Sequence, residues 1–142
     1  GTDLGMVIAA GDYHSCLLDS EGGLHCWGNN SYDKVSETPA GTGYRQLAAG
    51  SYNTCALDAD GSLECWGYDN YGIVSPPEGE FVQVDLFSQT ACALETSGTV
   101  QCWGNDASAT GEPEEPMIAV AVGNGFACAI DTDGYIQCWV LI

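Results

Sequence analysis

Residues 55–67 read C-A-L-D-A-D-G-S-L-E-C-W-G, and the same thirteen-residue pattern returns without a gap at 16–28 (C-L-L-D-S-E-G-G-L-H-C-W-G), 92–104 (C-A-L-E-T-S-G-T-V-Q-C-W-G) and 128–140 (C-A-I-D-T-D-G-Y-I-Q-C-W-V). The four copies use all eight cysteines of the chain. In every copy apolar residues alternate on both sides of an Asp/Glu-x-x-Gly turn, which is the pattern of a β-hairpin. Gly22, Gly61, Gly98 and Gly134 hold the turn position where a three-residue loop commonly needs a left-handed residue. Such a loop pairs Asp58 with Ser62. Counting outward then sets Leu57 opposite Leu63, Ala56 opposite Glu64, and Cys55 opposite Cys65. Opposed strand residues lie about 4.5 to 5.5 Å apart at Cα, within disulfide reach. The turn therefore predicts four local bridges: Cys16 with Cys26, Cys55 with Cys65, Cys92 with Cys102, and Cys128 with Cys138. Zinc is the rival use of eight cysteines, but structural zinc sites favour C-x2-4-C pairs, and here nine residues separate the members of each pair.

Alternation also places each Trp (Trp27, Trp66, Trp103, Trp139) on the strand face opposite its neighbouring Cys, together with Ala56, Ala93, Ala129 and, in the first copy, Leu17. A unit so built has two apolar faces. The Cys and Leu face of one unit is expected to pack on the Ala and Trp face of the next. A sugar-binding aromatic stripe is the other reading of the tryptophans.

Each hairpin has a short apolar preface: 6–11 (M-V-I-A-A-G), 44–50 (Y-R-Q-L-A-A-G), 81–87 (F-V-Q-V-D-L-F) and 117–123 (M-I-A-V-A-V-G). The first three hairpins are followed by polar, turn-rich segments at 29–39, 68–77 and 105–116, the second containing Y-G-I-V, read as a short outer strand. First cysteines are spaced by 39, 37 and 36 residues, a period that suits four-stranded propeller blades, and no helical period appears.

The repeat apolar-x-Q-apolar-A-A-G, then x-x-N-T-C-A-L-D-x-D-G-x-L-x-C-W-G-x-x-x-x-G, resembles the RCC1 repeat of seven-bladed β-propellers, in particular its cysteine-containing secreted bacterial variants. Residues 44–74 carry the best match; Phe87 stands where the other copies have Gly, and W-V-L-I replaces the continuation of W-G at the end. The resemblance implies an all-β chain of four RCC1-like blades, four-stranded antiparallel sheets at about residues 1–40, 41–78, 79–115 and 116–142. The nuclear member of the family exchanges nucleotide on a small GTPase and docks on chromatin, and a similar propeller inhibits β-lactamase. An acidic, disulfide-bonded chain is not expected to inherit the first role, and contact residues for the second cannot be placed on this sequence.

Twenty Asp and Glu stand against Lys34 and Arg45, a formal net charge of −18 over 142 residues. Two isolated cations cannot neutralise a phosphate backbone, so nucleic acid is not an expected partner. An anionic membrane repels such a surface, and no stretch reaches the length of a membrane span. Disulfides at this density place the chain outside the cytosol, secreted or at the cell surface. Its start at Gly1, with no charged n-region before an apolar run, is expected of a processed form or an excised segment.

The two histidines, His14 and His25, sit at repeat positions held elsewhere by Asn53, Thr90 and Phe126, or by Glu64, Gln101 and Gln137, and read as ordinary variation. No G-x-S-x-G elbow, H-E-x-x-H or phosphate-binding glycine loop occurs, so no catalysis and no cofactor are expected. Asp58 and Asp60, with Asp131 and Asp133, open like a calcium loop but lack the downstream bidentate Glu, and hairpin turn chemistry explains them without a metal. Asn29-Asn30-Ser31 is a glycosylation sequon on an expected loop.

Open repeat arrays need end units with a polar outer face. Here the first and last hairpins are as apolar as the middle ones, so something covers them. A compact four-bladed ring serving as a binding or inhibitor domain for a protein or glycan, a fragment of a larger propeller, and self-assembly all satisfy this. The favoured expectation is an extracellular filament subunit. Gly1, Thr2, Asp3, Leu4 and Gly5 resemble the G-x-L-G that the end lacks, so this segment, from the same or a neighbouring chain, completes the last blade beside Trp139, Val140, Leu141 and Ile142.

Overall fold

The structure, a computed structural model, describes residues 7–105, 109–110 and 113–141. It is an array of four antiparallel sheets. The first holds β1 (Val7–Ala10), β2 (His14–Leu18) and β3 (Leu24–Gly28). The second holds β4 (Tyr44–Ala49), β5 (Asn53–Asp58) and β6 (Leu63–Gly67), and the third holds β7 (Phe81–Phe87), β8 (Thr90–Glu95) and β9 (Val100–Gly104). The fourth is ordered β10 (Ala109–Thr110), β13 (Ile136–Leu141), β12 (Phe126–Asp131), β11 (Met117–Gly123). Strand alternation and the Asp-x-x-Gly turns produce the register expected from sequence: Leu57 faces Leu63, Ala56 faces Glu64, and Cys55 faces Cys65. The turn closes as Asp58 N–H donates to Ser62 O, while Asp58 Oδ1 accepts from Asp60 N and Ser62 N. Four disulfides join Cys16–Cys26, Cys55–Cys65, Cys92–Cys102 and Cys128–Cys138, with Cα separations of 4.0 to 4.1 Å.

The fourth, outer strand is regular only in the last sheet among the described residues, where Ala109 pairs with Leu141 and Thr110 with Val140. Y-G-I-V at 71–74 is a turn and not a strand. Tyr71 and Gly72 both take left-handed backbone, φ 59° and 71°, which breaks a pleat and drives Ile73 into the core.

Three apolar layers hold the sheets together, and each obeys the two-face rule. Cys16, Leu18 and Leu24 of the first sheet pack on Leu47, Ala56 and Trp66 of the second. Cys55 and Leu57 pack on Val84, Ala93 and Trp103, and Cys92, Leu94 and Val100 on Val120, Ala129 and Trp139. Polar groups fix the same joints. Gln46 on β4 donates through Nε2 to Val82 O at 2.7 Å and accepts from Val84 N at 3.2 Å, and Gln83 on β7 accepts from Val120 N at 2.9 Å. The turn glycines add a third tie: the carbonyls of Gly22, Gly61 and Gly98 accept from Tyr44, Phe81 and Met117, which begin the next sheet. At Gly22 and Gly98 the chains approach so closely that a Cβ would meet a neighbour at 2.6 to 2.7 Å, so glycine serves both the φ and the contact.

Candidate functional site: the two uncovered end faces

Each sheet also leans on the loop that follows the sheet before it. Trp66 Nε1 donates to Lys34 O, and Trp103 Nε1 to Ile73 O, both at 2.9 Å. The loop carbonyl thereby caps an indole N–H that would otherwise be buried without a partner. Trp66 and Trp103 are correspondingly buried, at 5% and 9% exposure, and Trp139 is buried at 5% although its Nε1 has no partner among the described residues, whereas Trp27 is 48% exposed. The sequence C-W-G is the same in the first three copies. Among the described residues the first copy lacks both the preceding sheet and its loop.

Among the described residues no apolar cluster joins the first sheet to the fourth. The first presents Ile8, Leu17 and Trp27, with Ile8 68% exposed. The fourth presents the opposite type of face, with Ile130, the Cys128–Cys138 bridge and Ile136, the last 70% exposed. A hollow of about 350 Å³ there is lined by Ala119, Cys128, Ile130 and Ile136 and reaches Gln83, Val120 and Ala129 at the joint with the third sheet. These faces are the largest departure from a self-covered core, and they are of complementary kind.

Of the residues expected at the joint, Trp139 and Leu141 are buried inside this chain, and Val140 is 53% exposed. The outer edge of β13 at Val140 and Leu141 already carries β10 of the same chain, because the loop after the third sheet crosses onto the fourth as its two predecessors do. Gly1 to Gly5 and Ile142 lie outside the described residues. The turn acids are engaged locally: Asp131 Oδ1 accepts from Asp133 N and Tyr135 N, matching Asp58 with Asp60 and Ser62. No cluster of three metal-ligating side chains occurs among the described residues. Asn29 is exposed, and its Oδ1 accepts from Ser31 N and from Lys34 Nζ at 2.7 Å.

Sequence reading missed a second surface. Tyr13 stacks on Tyr52 at 5.2 Å, Tyr32 meets Tyr52 edge-on at 5.4 Å, and Tyr32 lies 4.1 Å from Tyr68. Beneath them Lys34 is fully buried with no carboxylate partner among the described residues. Its ammonium is held by Asn29 Oδ1 and Ser31 O, lies 5.3 Å from the centre of the Tyr52 ring, and has its pKa lowered by burial. The available signal was register: Tyr13 and Tyr52 both stand three residues before a first cysteine. Covering Lys34 accounts for these rings without a ligand.

Residues 8–33 and 44–73 match the sequence model of the Regulator of chromosome condensation (RCC1) repeat. Those two segments match RCC1 repeats. Its fold matches the CRINKLY WD40 ectodomain of the Arabidopsis thaliana receptor kinase ACR4, with a TM-score of 0.80 and 26% identity over 94% of this chain and 50% of that one. It also matches the entire ectodomain of the Physcomitrella patens receptor kinase CR4, with a TM-score of 0.81 and 25% identity over 94% of this chain and 38% of that one. Yeast RCC1 (Prp20) bound to Kap60 is similar in fold alone, with a TM-score of 0.77 and 16% identity over 94% and 43%. The chain thus spans half or less of each of these three. No curated protein matches it by sequence. An RCC1-type propeller is consistent with a role in protein interaction, and no helix among the described residues is long and apolar enough to cross a membrane.

Proposed function

We propose that this chain is a non-catalytic extracellular structural protein, a subunit whose copies join head to tail. The observation that supports the reading is the pair of uncovered end faces. One is of the Cys and Leu type and the other of the Ala and Trp type, the same two types that make all three internal joints. A contact between two different surfaces propagates as a filament unless its rotation closes. The four sheets superpose on half or less of two larger propellers, which favours an array left open at both ends. Four disulfides, and the likeness at 25 to 26% identity to receptor-kinase ectodomains, favour an extracellular setting. Residues 1–5, which precede β1 in the sequence, belong to the joint in this reading.

Light scattering of the non-reduced protein over a hundredfold range of concentration, with electron microscopy of the same samples, tests it. Growth to chains of subunits is expected, and a monomer throughout overturns it. A second reading, in which further blades of a longer polypeptide cover both faces, is favoured by the 38 to 50% coverage of the matched chains. An intact mass of the native material well above 14.9 kDa selects it.

A further inference from the structure

We infer that the joint is size-matched to a second copy of this chain: Ile8 and Leu17 of one copy seat in the hollow on the fourth sheet of the next, in room left by Ala119. The inference rests on the head-to-tail reading above.

At each internal joint one cross-strand pair faces the preceding sheet: Leu47 with Ala56, Val84 with Ala93, and Val120 with Ala129. The second member is alanine every time. On the uncovered first sheet the same pair is Ile8 with Leu17. Leucine there adds three heavy atoms, which an ordinary joint of this array has no room for.

The other side of the joint varies in the opposite sense. Gln46 and Gln83 lie along the pair they face: Gln46 bonds Val82 O and Val84 N, and Gln83 bonds Val120 N. The equivalent position on the fourth sheet is Ala119, four heavy atoms smaller, and it lines the hollow of about 350 Å³. The two faces left uncovered by the described residues therefore depart from the repeat at matched positions and in compensating directions. A further sheet with the usual alanine would leave the space above Ala119 empty, which costs stability in proportion to the void. The first sheet of this chain fills it. The occupant is thus a second copy, continuing an interface already made three times within the molecule.

Size and association of Leu17→Ala, Ala119→Gln and the combined variant, as full chains with disulfides intact, test the match. Both positions lie on uncovered faces, so the melting temperature of dispersed monomer should stay within a few degrees and reports correct folding. Leu17→Ala leaves a cavity at the joint, and Ala119→Gln overfills it against Leu17; each should weaken association about tenfold or more. The combined variant recreates the Gln and Ala pairing of the internal joints and should recover most of the loss. Assembly of the parent chain with unchanged association in both single variants, or purely additive losses in the combined one, overturns the size match while leaving head-to-tail joining in place. A parent chain that stays monomeric overturns both, and so does a chain whose faces take only a different protein.

Discussion

Trp66→Phe and Trp27→Phe make the same chemical change at the same place in the repeat, yet the structure requires unequal outcomes. At Trp66 the change removes an indole N–H that donates to Lys34 O in a buried site. An orphaned buried carbonyl costs about 1 to 3 kcal/mol. The smaller ring also gives up roughly 40 Å² of buried surface, worth about 1 kcal/mol. The sum, about 2 to 4 kcal/mol, lowers the melting temperature of a domain near this size by about 4 to 16 °C. Trp27 is 48% exposed with no indole partner among the described residues, so Trp27→Phe should fall within about 0.5 kcal/mol of the parent. Scanning calorimetry of the oxidised proteins, dilute enough to be monomeric, measures both. Equal shifts would refute the idea that the preceding sheet and its loop, and not the C-W-G sequence, bury the tryptophan.

The remaining expectations concern protons, backbone and sulfur. Burial, followed by the charge of Lys34, holds the His14 imidazole below its ordinary value of 6.5 against a smaller opposing effect of Asp12, so the unfolded chain binds the proton more readily. Stability should therefore fall as pH drops from 7.5 through 6.5 toward 5, and His14→Asn, which installs the residue found at Asn53, should flatten that part of a melting-temperature profile. Gly67 has φ +102°, and a Cβ there would stand 2.4 Å from Tyr52 O, whereas Gly72 at φ +71° has open space. Denaturant melts should show Gly67→Ala losing about 2 kcal/mol or more, and Gly72→Ala about 1. Cys16, Cys55 and Cys92 are fully buried while Cys138 is exposed, so limited reductant followed by alkylation and mass spectrometry should label Cys128 and Cys138 first.

Local chemistry was legible in the sequence because it is decided within thirteen residues. The Asp-x-x-Gly turn fixes the register, register brings the cysteines together, and alternation sorts Leu57 from Trp66 onto opposite faces. What escaped depends on partners far along the chain. Nothing in Y-G-I-V distinguishes an edge strand from a left-handed turn that plugs Ile73 beneath Trp103, because the deciding contact is 30 residues away. Lys34 carries no mark of burial in its neighbours, and a lone lysine on a polar loop ordinarily reads as solvated. Trp27 and Trp66 read alike and are buried differently for the same reason. Ala109 and Thr110, in a loop with no strand pattern, pair with Leu141 and Val140 as the outer strand of the last sheet, a contact no local signal announces.

That dependence of each sheet on the loop before it makes the array more than four hairpins in a row. A hairpin stapled at Cys55–Cys65 keeps its register with or without neighbours, but Trp66 is satisfied only when Lys34 is in place, and Trp103 only when Ile73 is. Gln46, Gln83 and the turn glycines run in the same direction, from each sheet to the one after it. Coupling therefore has a polarity. The first sheet supplies ties and receives none from the described residues, and the fourth receives them and passes none on. In a symmetric stack the two ends would be equivalent, and copies could meet in either orientation. In the head-to-tail joining proposed above, an incoming copy would find the missing cover for Ile8 and Trp27 at another copy's fourth sheet, so the asymmetry that orders the four sheets would also fix the direction in which subunits add.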